Sequence, residues 1–172
     1  MAPFPVCCIA KIPIAILNKL LTDARAGSND LAPGSECELA IVEACDDGSS
    51  MISDKATIPP LEESFRPYIS ASTDQAAEPQ HVAGASNFAV LDQQSPADET
   101  VVLVSRGQDG TVGGTARVTF ESIQLVLVSL EMGTIGFSEI QSIAESQGEV
   151  YGRPAERPKK GGLGPRKRLG GP

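Results

Sequence analysis

The sequence predicts an α+β fold: a small antiparallel sheet of about three strands within residues 100–130, one or two short helices, a long irregular linker and a flexible basic C-terminal tail. Three observations predict it. Residues 100–128 hold consecutive β-branched and aliphatic runs separated by glycine-rich or polar breaks. Helical spacing of apolar residues is clearest near 14–26 and returns at 138–147. Between 49 and 99 the chain is rich in Pro, Ser, Ala, Asp and Glu and poor in large apolar side chains. The organisation that follows is 1–48 (a helix and an ambiguous helix or strand), 49–99 (an extended linker or arm), 100–150 (a β-rich block closed by a short helix) and 151–172 (a basic Gly/Pro tail).

The first helix is expected at about 14–26. Pro13 fits a first helical turn, where its missing N–H costs nothing. Ile14, Leu17, Leu20, Leu21 and Ala24 form an apolar stripe, with Asn18, Lys19, Thr22, Asp23 and Arg25 opposite, and Gly27 is a C-terminal stop. The stripe is a core face or a partner-facing seam. Residues 35–45 are ambiguous. Ser35 with Glu38 matches a capping box, whereas Leu39-Ala40-Ile41-Val42 before Asp46-Asp47-Gly48 reads as a strand entering a hairpin that returns over Met51–Ile58. In the middle segment Phe65, Tyr68 and Ile69 are the strong apolar contacts, and Phe88-Ala89-Val90-Leu91 is a short apolar island.

The block from Thr100 starts with a buried strand, Thr100–Val104. Gly107, Asp109-Gly110 and Gly113-Gly114 make a hairpin tip. Ala116, Val118 and Phe120 then alternate with polar neighbours, giving a half-buried strand, and Ile123–Val128 reads as a third strand after a bend at Glu121-Ser122. Ser138 with Gln141 is a second capping-box match, for a helix ending near Gln147-Gly148.

Composition narrows the function classes. With 41% hydrophobic and only 4% aromatic residues, any core rests on Ile, Val, Leu and Ala, and a partner would help to stabilise it. The net charge of −8 is unevenly spread. Residues 153–172 hold Arg153, Arg157, Lys159, Lys160, Arg166, Lys167 and Arg168 against Glu156, a charge of +6 that leaves −14 on the first 152 residues. Such a tail attracts phosphate, or an acidic protein surface, without reading sequence. It contains no aromatic residue on which a base could stack.

The cysteines, Cys7, Cys8, Cys37 and Cys45, read as reduced thiols of a soluble protein in an intracellular compartment, cytoplasm or nucleus, or incorporated in a particle, and not as a secreted disulfide framework. The apolar stretch Phe4–Leu21 is interrupted by Lys11, Asn18 and Lys19, and by Pro5 and Pro13, so neither a signal peptide nor a membrane span is expected. No metal is expected, because the cysteines are one and eight residues apart within their pairs rather than two to four. His81, the one histidine, lies in a polar stretch and reads as a surface residue. The Gly107–Gly114 cluster lacks the Lys-Ser/Thr ending of a phosphate loop. The paired acids Asp46-Asp47, Glu62-Glu63 and Asp98-Glu99 read as solvated.

No catalytic residue, cofactor or small-molecule ligand is therefore expected. The expectation is a non-enzymatic structural or interaction protein, an accessory or coat-like part of a virion or ribonucleoprotein, which meets other subunits through an extended arm and the basic tail. The alternatives are a nucleic-acid-binding protein acting through that tail, and an enzyme whose site the sequence does not show.

Overall fold

The structure, a computed structural model, describes residues 2–153. It contains a five-stranded mixed sheet, a two-stranded sheet and six helices among those residues. The small three-stranded antiparallel sheet is thereby corrected, and of the expected linker residues 52–72 carry no helix or strand while the rest holds two strands and three short helices. The chain runs β1 (Phe4–Cys8), α1 (Ile14–Leu31), β2 (Leu39–Ile41), β3 (Glu43–Ala44), β4 (Ser50–Met51), α2 (Thr73–Ala76), α3 (Pro79–Val82), β5 (Asn87–Leu91), α4 (Ser95–Asp98), β6 (Thr100–Arg106), β7 (Val112–Thr119), α5 (Phe120–Glu131) and α6 (Phe137–Ser146).

The large sheet has the order β2-β1-β5-β6-β7. β1 is parallel to both β2 and β5, while β5–β6 and β6–β7 are antiparallel. Two strands in its centre were hidden from sequence reading for one reason. Phe4–Cys8 is buried at every position, and Asn87–Leu91 at all but the first. A strand covered on both faces has no polar–apolar alternation to display. The Phe88–Leu91 island is thus the middle of the sheet, and the segment around it carries α2, α3 and β4 rather than running as a free arm.

Alternate residues of these strands feed two separate cores. Phe4, Val6, Cys8, Ala89, Leu91, Val101, Leu103 and Val118 face α1 and α5. Cys7, Phe88, Val90 and Val104 face Ala76, Ala77 and Val82 of the α2–α3 region, with Tyr68 beside them. Helix α1, between β1 and β2, therefore lies on one face and the α2–α3 pair, between β2 and β5, on the other, which places the change of winding between β1 and β5.

The other departure is at Ile123–Val128, which is helical within α5 and not a third strand. Its burial pattern is Ile123, Gln124, Val126 and Leu127, a helical stripe that packs on α1. Side chains that fit a strand equally fit a buried helix when a partner helix is waiting.

Neither capping-box match caps a helix. Ser35 Oγ donates to the Ala32 carbonyl at 2.6 Å, and Glu38 N–H goes to Gln124 Oε1 at 3.0 Å. Helix α6 starts from Gly136, which leaves Ser138 inside its first turn. The Asp46–Gly48 turn does close a hairpin, with Gly48 at φ 82°, but the returning strand is only Ser50–Met51.

Both outer edges of the large sheet are covered in part. Thr57 Oγ1 accepts from Ile41 N–H on β2, and the Thr57 N–H donates to the Leu39 carbonyl. On β7, Tyr151 donates to the Arg117 carbonyl and accepts from Thr119 N–H. Blocking these ladders removes templates for pairing with another chain.

Candidate functional site

The stripe of the first helix lies in the interior. Leu17, Leu20, Leu21 and Ala24 are buried, and Ile14 packs half-buried against the same core. The helix also runs past the expected stop to Leu31. Gly27 is a contact rather than a terminator: a Cβ there would sit 2.0 Å from the Glu121 carbonyl oxygen.

Of the basic set, Arg153 is exposed and lines a cleft of about 370 Å³ together with Lys19, Asp23, Asp98, Glu99 and Glu121. Lys19 Nζ is already held there by Asp23 at 2.8 Å and Glu99 at 3.4 Å. Arg157, Lys159, Lys160, Arg166, Lys167 and Arg168 lie outside the described residues.

The cysteines point apart for a geometric reason. Cys7 and Cys8 are neighbours in β1 and enter opposite cores, so they neither bridge nor share a ligand. Burial pushes both thiols up to about 12, with the charge of Cys8 adding to the shift at Cys7. Cys37 is raised as well by burial, which outweighs the Leu39 N–H and Arg25. Such thiols are poor nucleophiles at neutral pH. Among the described residues no group of three or more His, Cys, Asp and Glu is placed to hold a metal ion.

Two polar clusters remain, and sequence spacing signalled neither. The first follows directly on β5. Asp92 leaves the carboxyl end of that strand, where open α/β sheets commonly bind ligands. Its oxygens are already taken. Oδ1 accepts from the N–H groups of Gln94 (3.1 Å) and Ser95 (3.0 Å) and from Ser95 Oγ (2.9 Å). Arg117, from β7, reaches it with both guanidinium nitrogens and also donates to Thr100 Oγ1 at 3.0 Å. Burial raises the Asp92 carboxyl, but the bonds and charge of Arg117 and the bonds from Ser95 outweigh it, and the net shift is downward. This cluster ties the ends of β5, β6 and β7 together.

The second cluster contains His81, which the sequence placed on the surface. It is only 3% exposed. Pro79 starts the short helix α3, and Ala83, in the left-handed region at φ 48°, ends it, which turns His81 inward beneath the β3–β4 hairpin. Nδ1 lies 2.6 Å from Ser50 Oγ. The Tyr68 ring stacks on the imidazole with centroids 4.9 Å apart and planes at 23°. Nε2 is buried with no hydrogen-bond partner, and the nearest carboxylate oxygen, Glu78 Oε2, is 3.9 Å away. A hydroxyl and an imidazole thus meet, with a carboxylate that accepts from Gln80 Nε2 at 2.6 Å just beyond hydrogen-bond reach of the ring; they come from β4, α3 and the residue before it. The three residues lie 28 and three positions apart in sequence, a spacing that belongs to this packing and to no local motif.

Comparison with protein-family models, with curated proteins and with solved structures finds no match for the chain. Among the described residues no helix is long and apolar enough to cross a membrane.

Proposed function

We propose that the chain is a structural or interaction component of a larger assembly, a virion or ribonucleoprotein, which engages its neighbours through the basic segment from Arg153 onward. Its work in this reading is binding and not turnover. The observation that carries it is the division of charge, +6 on residues 153–172 against −14 on the rest. Opposite charges on one chain favour contact between copies, or with an acidic surface, and the attraction weakens with salt. Within the middle segment Asn87–Leu91 is not free to act as an arm, because it is the central strand of the sheet.

A second reading, nucleic-acid binding through the same segment, rests on its seven bases and on the absence of an aromatic residue, which suits phosphate contact without base readout. One experiment separates the two. The full chain and a chain ending at Gly152 are compared for self-association by sedimentation, and for RNA and DNA affinity at two salt concentrations. Assembly predicts association of the full chain that salt and truncation both reduce, without nucleic acid. The second reading predicts a monomer whose nucleic-acid affinity falls steeply with salt and is lost on truncation. Two monomeric chains of equal affinity would remove the segment from either account.

A further inference from the structure

We propose that Ser50 is an acyl-acceptor site, a half-buried hydroxyl activated by His81 that takes the acyl group of an activated ester. The geometry is that of an activated nucleophile: hydroxyl and base lie within hydrogen-bond reach, and a stacked aromatic ring holds the base in place. Ser50 Oγ is 2.6 Å from His81 Nδ1. The stacked Tyr68 ring fixes the imidazole plane, so the base does not turn away from the hydroxyl. Glu78 Oε2, which accepts from Gln80 Nε2 at 2.6 Å, lies 3.9 Å from the unpartnered His81 Nε2, beyond hydrogen-bond reach, and its charge favours the tautomer with the proton on that nitrogen. Nδ1 is then an acceptor, and the Ser50 O–H donates to it.

Access differs between the two partners in a useful way. Ser50 is half-buried on the hairpin, whereas His81 is covered. The Ser50 oxygen attacks the acyl carbon and a new Oγ–carbon bond forms. The proton passes to Nδ1, the bond from the acyl carbon to the leaving oxygen breaks, and that oxygen takes the proton or departs as the anion. The Glu78 carboxylate stabilises the imidazolium formed on the way. The product is one acylated serine.

p-Nitrophenyl acetate is the probe. The full chain is incubated with it, p-nitrophenolate release is followed, and the acetylated residue is mapped by peptide mass spectrometry. The expected result is one acetyl group on Ser50, none at that position in Ser50→Ala, and a loss of about 100-fold or more in rate in His81→Gln, the scale of a general base. Acetylation confined to lysines, or Ser50 acetylated equally fast in His81→Gln, would overturn the proposal. Should His81→Gln fail to fold, Glu78→Gln carries the decision, because Glu78 is about half exposed and its loss leaves the core intact. A Glu78→Gln rate equal to that of the unaltered chain would likewise overturn it.

Discussion

Gly27 shows how one missing methyl group can set the distance between two helices. A Cβ at this position would lie 2.0 Å from the Glu121 carbonyl oxygen and 2.9 Å from its carbon, both backbone atoms that cannot swing aside. Alanine in a helix interior is worth about 1 kcal/mol over glycine. Overpacking costs about 1–3 kcal/mol or more and wins here. Gly27→Ala is therefore expected to lower stability by about 1–2 kcal/mol, read as a lower urea midpoint.

The Asp92–Arg117 pair is a second effect at this scale. Asp92 is held below the ordinary carboxylate range, so its contribution is present above its unfolded pKa and is lost as pH falls through the lower folded value. Arg117→Met should cost about 1–3 kcal/mol near neutral pH by leaving a half-buried carboxylate without its partner. The gap between variant and unaltered chain should narrow as pH is lowered below about 4. Urea melts at neutral and acid pH test this, and a gap that stays constant across them would show that the pair does not act through the charge of Asp92.

At the scale of elements, α5 depends on a polar contact as much as on its apolar stripe. Gln124 is buried, yet its amide is fully engaged with the segment leading into β2. Its Oε1 accepts from Glu38 N–H at 3.0 Å, and its Nε2 donates to the Glu36 carbonyl at 2.8 Å. This clamp takes the backbone groups that a helix starting at Ser35 would have used. Gln124→Leu preserves size and apolar burial but leaves both backbone groups unpaired, at a cost of about 1–3 kcal/mol. Hydrogen exchange should quicken at Glu38, and at the Leu39–Ile41 ladder to β1. Unchanged exchange there would mean that β2 holds without the clamp.

The elements also mark how far the sequence could be read. Pro13 and the stripe from Ile14 to Ala24 located α1, because helical spacing is a local property. Thr100–Val104 and the glycine-rich tip before Val112 located the β6–β7 hairpin for the same reason, and Asp109 closes that tip by accepting from Thr111 N–H and Oγ1. Ile123–Val128 could not be decided locally. An apolar run of that length suits strand or helix, and α1 decides it by offering a helical groove.

At the scale of the whole molecule the division of charge is the dominant property. Among the described residues Tyr151 is the last paired to the sheet, through Arg117 and Thr119. A chain ending at Gly152 keeps those bonds and is expected to melt at nearly the same temperature as the full chain while losing its salt-sensitive association. A large fall in melting temperature would mean that the segment beyond Gly152 is part of the folded body. The Ser50–His81–Glu78 cluster belongs to this scale too, since the packing of α3 against the β3–β4 hairpin creates it.

The sequence by itself determined the charge division, the site of the first helix, the β6–β7 hairpin and the two turns around Gly48 and Gly110, all of which depend on residue types within a few positions of one another. Only the tertiary structure decided the rest. It put Phe4–Cys8 and Asn87–Leu91 side by side at the centre of a mixed sheet, made Ile123–Val128 a helix, turned His81 inward onto Ser50, and fastened Asp92 to Arg117. Each of these results depends on what packs against a segment, and the energy of that contact outweighs the small local preference the sequence displays.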